Sequence, residues 1–561
     1  MIEKECIKCA QKYTVTKDDL KFYEKISPTF NKEKFAIPEP IECPDCRQQK
    51  RLAFRNEFKL YHRKCDLCEQ HFVSIYSKDK EFKVYCPGCY FSDKWDPMEY
   101  GRDFNFDRPF FNQFKELYDE VPKPGLIVLG DNENSDYSHD AYRLKNCYLT
   151  FDGEQGKDCF YGETFSILKD CLDFLTCSNS ELLYECLNCS DSYNLKYSRF
   201  CTNCSDSYFL SDCVGCKNCF GCVNLHRKEY YIFNEPYTKE EYFKKIKFLE
   251  LHKYENLQKT KKFFDEFVEK QIKKSYRGQM NENVSGDNIN NSKNAHFCFD
   301  SANLRDCKYC TNVQLSANDC YDVDIWGDKM SRVYNSAGIG AGVEQVIGSY
   351  YCGFDSNNIC YSIFSWKGCS NIFGCVNLIH KSNCIFNKQY SEKEYQKLSA
   401  KIAKHMQRTG EWGLFFPIVM SSFGYNETVA QQYYPLNNIE AREKKFKWQD
   451  KDLREYKPQT YSVPDDINDL TDEIKEELLA CEDCARNFRI IEQELLYYKK
   501  HQIPIPHKCF FCRHQDRYAL RNPRKLWARK CDKCQAEIKT SYSPDRPETI
   551  YCEPCYLKEV V

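Results

Sequence analysis

CLDFLTCSNSELLYECLNCSDSYNLKYSRFCTNCSDSYFLSDCVGCKNCFGCVNLHRKEY, residues 171–230, is the stretch from which the architecture follows. Its leading cysteines, Cys171, Cys186, Cys201 and Cys216, keep a fifteen-residue beat. Three residues on from each come Phe174, Cys189, Cys204 and Cys219; six on come Cys177, Ser192, Ser207 and Cys222. A short period rich in Asn, Ser, Asp and Tyr, with few helix formers, predicts stacked rungs of a small β-solenoid that repeat the same inward-facing positions. No rung buries a core alone, so the module, residues 145–237, folds as an array.

Cys213, Cys216, Cys219 and Cys222 approach the spacing of an iron–sulfur run, and extra zinc is the other metal reading. The fourth spacing is wrong for a cluster, and a second module tests both. Residues 293–390 end in the same phrase, so that FGCVNLHRKEYYIFNEPYTKEEY (220–242) lies over FGCVNLIHKSNCIFNKQYSEKEY (373–395). In that register Cys213 meets Trp366 and Cys219 meets Ile372, while Cys216 and Cys222 meet Cys369 and Cys375. Apolar side chains replace half the would-be ligands. The expectation is that these thiols act as small hydrophobes in an interior ladder.

Polar helical segments follow both modules, in 238–292 and 391–470, with Tyr, Phe, Leu and Ile at three- and four-residue steps, which predicts helices that cover the ends of the arrays. RGQMNENVSGDNINNSKN (277–294) and EAREKKFKWQDKDLREYKPQTYSVPDD (440–466) read as flexible linkers. An aromatic and acidic connector, 101–144, precedes the first module.

Further out the cysteines change pattern. Cys6-x-x-Cys9, Cys43-x-x-Cys46, Cys65-x-x-Cys68 and Cys86-x-x-Cys89 lie within residues 1–100; Cys481-x-x-Cys484, Cys509-x-x-Cys512, Cys531-x-x-Cys534 and Cys552-x-x-Cys555 lie within 471–561. From Cys43 to Tyr90 and from Cys509 to Tyr556 the copies align without a gap, an internal duplication. A Cys-x-x-Cys turn supplies two soft ligands, and two turns close a tetrahedral zinc site. Sequential pairing gives four structural zinc ions; cross-braced pairing is the alternative. HFVSIYS and FKVYC predict strands of ribbon hairpins. His71 follows Cys68, but the second copy has Glu537 there, so His71 is not counted as a ligand. The expected class is a mainly β multidomain protein: tandem zinc ribbons at both termini flanking two cysteine-rich β-solenoid-like modules with capping helices.

CIKCAQKYTV with PIECPDCRQQKR, and CEDCARNFRI with PIPHKCFFCRHQDR, resemble a zinc-ribbon domain that opens on one knuckle and closes on Cys-x-x-Cys-Arg. More broadly, YCPGCYFSDKWDPMEYGRDF, FFPIVMSSFGYNETVAQQYYPL and YSPDRPETIYCEPCY are similar to stretches in a family of multi-zinc-ribbon proteins of candidate-phyla-radiation bacteria. The resemblance implies zinc-ribbon folds at both ends and brings no activity with it.

Function is therefore read from composition and surface chemistry. In 561 residues, 81 Lys and Arg nearly balance 83 Asp and Glu, so any nucleic-acid surface has to be local. The duplicated segment carries one. Arg47, Lys50, Arg51, Arg55, Arg63 and Lys64 in the first copy, and Arg513, Arg517, Arg521, Arg524, Trp527, Arg529 and Lys530 in the second, interleave with Phe54, Tyr61 and Tyr518. Cations for phosphates and rings for bases are the combination of single-strand binders, so RNA, the ribosome or another nucleic acid is the first expected partner. A protein partner held by the repeat faces is the alternative. An enzyme ranks third. Asp93, Asp96, Glu99 and Asp103, and His139 near Asp136 and Asp140, lack a metal or acid–base spacing, and no small-molecule substrate is evident. The polar start MIEKECIKCAQKY, the lack of a membrane-length apolar run, and 37 cysteines without a disulfide framework suggest the cytoplasm and no membrane partner.

Overall fold

The computed structural model describes residues 2–450 and 456–560. Residues 451–455, inside the second expected linker, lie outside them, whereas Asn438–Glu443 of that segment is a short helix. Two large, almost wholly parallel sheets dominate, one of eight and one of thirteen strands.

In the first sheet, from His139 on, neighbouring strands are twelve residues apart: His139 pairs with Phe151, Tyr148 with Phe160, Phe160 with Leu172, Leu172 with Tyr184 and Tyr193 with Ser205. Isolated bridges carry the offset on to Phe220 and Ile232. The repeat is thus twelve residues and not the expected fifteen, and its first strand, Val128–Leu129, lies within the expected connector. A finer period underlies it. Every third residue from Asp140 to Phe233 has positive φ, from 45° at Phe233 to 66° at Gly221. Left-handed backbone is costly for residues with a Cβ, least so for Asn and Asp, which hold nearly half of these corners. Four three-residue sides make one turn. Fifteen is also a multiple of three, so the rows at Cys171, Cys186, Cys201 and Cys216 follow the interior frame while stepping one side further at each turn.

The residue after each corner points inward. All of Cys147, Cys159, Cys171, Cys177, Cys186, Cys189, Cys201, Cys204, Cys213, Cys216, Cys219 and Cys222 occupy this one frame, and none is more than 2% exposed. Such narrow turns also aim backbone groups inward, and the small polar side chains answer them. Ser180 Oγ donates to Ser178 O (2.7 Å) and accepts from Ser192 N–H (3.0 Å). One turn on, Ser192 Oγ donates to Ser190 O and accepts from Cys204 N–H; next, Cys204 Sγ donates to Thr202 O (3.5 Å) and accepts from Cys216 N–H (3.4 Å). Serine and cysteine therefore alternate in one column because they do the same work there. Large and small residues alternate too: a Cβ on Gly162 would stand 2.0 Å from the Phe174 ring of the next turn. Cys204→Ala should cost about 1–3 kcal/mol by leaving the Cys216 amide without an acceptor, whereas Cys204→Ser should retain most of the stability. Urea unfolding of the zinc-loaded protein measures the difference.

The second sheet begins at Gly278–Gln279 and Glu282–Asn290, inside the stretch expected to be a flexible linker. Its offset drifts. Glu282 pairs with Lys293, Lys293 with Arg305, Leu304 with Ala317, Ala317 with Met330 and Ser370 with Ser382. A turn of thirteen needs one extra residue, which breaks the three-residue frame; Cys298, Cys307, Cys310, Cys320, Cys352, Cys369, Cys375 and Cys384 nevertheless share one apolar core.

Helices pack on both stacks. Tyr254–Glu269 buries Leu257, Phe264 and Val268 on Phe209, Phe220 and Val223 of the first. Glu392–Thr409, begun by a Ser391/Glu394 capping box, buries Tyr395, Ile402 and Met406 beside Phe373 and Ile385 of the second.

The terminal units cross over. Phe22, Tyr23, Phe30, Phe35 and Phe54 of the amino-terminal unit share a core with Tyr334, Tyr350, Tyr361 and Phe373 of the second stack. Leu495, Tyr498, Ile503 and Phe510 of the carboxy-terminal unit pack on Phe151, Phe160, Leu172 and Tyr184 of the first. The later ribbon of each unit turns the other way: Val84–Tyr85 pairs with Lys123–Pro124 ahead of the first stack, and Ile550–Tyr551 with Lys273–Lys274 ahead of the second. FKVYC thus supplies this strand and not the ribbon hairpin, which pairs Tyr61–Lys64 with His71–Ser74, as Trp527–Lys530 pairs with Glu537–Thr540.

Candidate metal centres and the arginine clamps

Four groups of sulfurs converge: Cys6, Cys9, Cys43 and Cys46; Cys65, Cys68, Cys86 and Cys89; Cys481, Cys484, Cys509 and Cys512; Cys531, Cys534, Cys552 and Cys555, each with its sulfurs within 4.8 Å of one another. Pairing is sequential. The closing knuckle of the first and third groups starts a helix, Pro44–Leu52 or Phe510–Ala519, with Cys43 or Cys509 at its N-cap. Sulfur–sulfur distances of 3.6 Å (Cys9–Cys43), 3.9 Å (Cys68–Cys86), 3.7 Å (Cys484–Cys509) and 3.7 Å (Cys534–Cys552) span all four. Tetrahedral zinc at about 2.3 Å from each sulfur sets them about 3.8 Å apart. The donor sets therefore fit zinc.

Backbone amides prepare the thiolates. Cys6 Sγ accepts from Lys8 and Cys43 N–H, Cys65 Sγ from Cys86 N–H and Cys531 Sγ from Cys552 N–H. Burial raises Cys65 and Cys531, yet amide hydrogen bonds outweigh it and bring them down to about 7 and about 6. Among the described residues no interior thiol of the stacks belongs to a comparable group. Those thiols face carbonyls: Cys213 Sγ reaches Ser211 O and Cys222 O, and Cys219 Sγ reaches Lys217 O and Lys228 O.

The basic strips lie elsewhere than expected. On the Pro44–Leu52 helix, Arg47 Nε donates to Asp322 Oδ2 (3.0 Å), and Arg51 Nε donates to Asp324 Oδ2 (2.6 Å) while its Nη1 meets Asn335 Oδ1. On the Phe510–Ala519 helix, Arg513 Nε and Arg517 Nη1 each lie 3.0 Å from an Asp173 oxygen. The copies match in detail, since Arg47 Nη1 donates to Glu42 O and Arg513 Nη1 to Lys508 O. Lower down, each strip crosses to the opposite stack: Arg55 Nη2 reaches Asp140 (2.6 Å), and Arg524 Nη2 reaches Asp300 (3.0 Å) and Asn312. Arg521 donates to Thr176 and Tyr433. Each helix, with the loop that follows it, is an arginine clamp between two stacks.

These side chains are consumed inside the molecule. Arg47, Arg51, Arg55, Arg513 and Arg517 are at most 6% exposed, with Asp173, Asp322 and Asp324 at 0%. Lys50 is paired with Glu42 at 2.6 Å, Arg63 with Asp66 and the Ser77 carbonyl, and Arg529 with the Ser543 and Glu548 carbonyls. Trp527 is half-buried in its hairpin, and Lys64 and Lys530 are exposed. The expected nucleic-acid strip is therefore corrected: of its thirteen residues the structure leaves these two lysines on the surface. Stacked rings beside arginines read the same in sequence whether the partner is a phosphate or a buried carboxylate. Asp173, Asp300, Asp322 and Asp324 were missed because they look like ordinary aspartates of the repeat, the first three at its corners, and their partners lie more than two hundred residues away in the chain.

Where both clamps meet the first stack, carboxylates outnumber cations. Arg55 faces Glu57 (2.5 Å), Asp140 (2.6 Å) and Asp152 (4.0 Å), and Glu57 hydrogen-bonds to Glu163. Glu163 accepts from Tyr518 Oη (2.6 Å). Burial, offset in part by Arg55 and reinforced by Glu163, pushes Glu57 up to about 8. Glu57 thus keeps in the folded state a proton that an unfolded chain gives up near 4.5. Its stabilising share is complete below that value and is lost as pH rises towards about 8. Glu57→Gln should flatten the fall in melting temperature between pH 6 and about 8.5 relative to the parent.

Three of the earlier candidates have partners within the fold. Asp96 caps a short 3-10 helix through Met98 N–H, Asp103 binds Lys388, and buried His139, held down to about 4 by burial, accepts from Ile127 N–H through Nδ1.

No protein-family description and no curated protein matches the chain. Among solved structures, one described as an acetyltransferase from Desulfovibrio desulfuricans G20 is similar over 41% of this chain and 63% of its own length, at 11% identity and a TM-score of 0.11.

Proposed function

We propose that this chain is a zinc-stapled, non-catalytic protein-binding scaffold, belonging to the multi-zinc-ribbon family it resembles, whose two parallel stacks are short β-solenoids. The observation that carries the reading is the burial of the arginine strips on stack aspartates. Charges buried and paired with stack aspartates cannot release counterions from a polynucleotide, which is the main source of nucleic-acid affinity. The zinc sites have four cysteines each and no open position, so they contribute folding free energy and not a reactive water. What faces outward is the stack surface, where Ile167, Tyr193 and Leu315 are about half exposed. Repeat surfaces of this kind suit protein partners.

The test is affinity capture on the zinc-loaded chain, with and without nuclease. A partner that survives nuclease, is lost on Tyr193→Asp or Ile167→Asp and persists with Lys64→Glu and Lys530→Glu supports the scaffold. Recovery that disappears with nuclease, or direct RNA binding that weakens steeply with salt and with the two lysine variants, sinks it.

A further inference from the structure

Between the first stack, the Tyr254–Glu269 helix and the carboxy-terminal unit lies a cleft of about 380 Å³. That volume lies at the small end of the range for small-molecule sites, about 300–1,000 Å³. Neither zinc binding nor the scaffold reading uses it.

Its lining is unevenly charged. Six cations border it: Arg199, Lys261, Lys262, Lys508, Arg513 and Arg517. Three carboxylates in the same wall answer only some of them. Asp265 takes Arg199 (3.0 Å), Glu185 takes Lys261 (2.6 Å), and Asp516 takes Lys508 (3.1 Å). Lys262 is exposed and has no ion-pair partner among the described residues. Arg513 and Arg517 share Asp173 behind the cleft, and each keeps an unused donor: Arg513 Nη2, 3.7 Å from Glu494 and beyond hydrogen-bonding distance, and Arg517 Nε. Both residues are more than nine-tenths buried. A buried guanidinium N–H without an acceptor is costly, and such groups usually have a partner. His507 Nε2 is a third buried nitrogen in this wall without one, on a ring that stacks 3.7 Å from Tyr254.

Several donors around one pocket suit a group with several oxygens and more than one charge, and guanidinium forks match phosphate geometry. We propose that this cleft binds a phosphate monoester of a small molecule, its phosphate held by Lys262 in the positive field of Arg513 and Arg517 and its body against the Tyr254–His507 pair. A ligand there touches a stack, its covering helix and a clamp at once, so its binding energy adds to their association.

The test uses the zinc-loaded full chain with inorganic phosphate and phenyl phosphate as probes, read by titration calorimetry and melting temperature. Saturable binding at one site per chain is expected, tighter for phenyl phosphate. Three substitutions on the exposed side of the helix, away from the clamp, separate the cleft from general charge. Lys262→Glu should weaken binding about tenfold, Asp265→Asn should strengthen it by freeing Arg199, and Lys259→Glu, outside the cleft, should leave it unchanged. No saturable heat from either probe overturns the proposal, as does equal weakening by Lys262→Glu and Lys259→Glu.

Discussion

Asp173→Ala destabilises the protein by about 3–5 kcal/mol, the loss expected when one member of a buried ion pair is removed and its partner is left charged. Asp173 is 0% exposed and is the shared acceptor of Arg513 and Arg517, so the substitution strands two guanidinium groups at once. Glu494 lies 3.7 Å from Arg513 and offers a poor substitute, because it already accepts from Tyr161 and Tyr498. The carboxy-terminal unit then loosens from the first stack. Asp322→Ala should act likewise at the other clamp, where Arg47 loses its carboxylate while Arg51 keeps Asp324. The loss at Asp322 should be the smaller. Denaturant unfolding of the zinc-loaded variants gives both values; losses below about 1 kcal/mol, the scale of an exposed pair, would show that the clamps are solvated.

Cys43→Ser removes one zinc ion and unfolds the first ribbon. Structural zinc binding is worth on the order of 10 kcal/mol in ribbon-like peptides, and most of that is folding free energy. The damage should spread, because Cys43 opens the helix that carries Arg47 and Arg51 to the second stack. The contrasting variant is Cys189→Ser, one of the interior thiols, at 1% exposure with its sulfur facing Leu187 O and Ser198 O. It should lose no metal and little stability. Zinc content with circular dichroism separates the two cases: a ligand cysteine costs metal and fold together, and an interior cysteine costs neither.

The four convergent cysteine groups were legible because a Cys-x-x-Cys turn is local chemistry and the duplication repeats it. The interior ladder was legible in kind, since Trp366 and Ile372 in cysteine columns mark those columns as packing. Its period was not. With a corner at every third residue, any multiple of three keeps the interior frame, and only the strand register, Leu172 on Tyr184, separates twelve from fifteen. The second stack hid its start for a related reason. Its first turns are eleven residues long, which breaks the frame, and the Asn and Gly that fill its left-handed corners, Asn283, Asn288 and Asn291 among them, look like linker residues. The arginine strips were legible as a duplication, and were read as a surface where the structure buries them on carboxylates. Nothing local distinguishes Arg51, closed on Asp324, from an arginine waiting for a phosphate; the difference lies in a contact spanning 273 residues of chain.

The 37 cysteines divide into sixteen that converge as candidate ligands and an interior set expected to hold no metal. Metal content per chain, by elemental analysis of the purified protein, tests that division most directly. Four zinc ions and no iron are predicted, one for each convergent group of sulfurs. Six or more metal ions per chain, or any stoichiometric iron, would place metal among the interior thiols and contradict it.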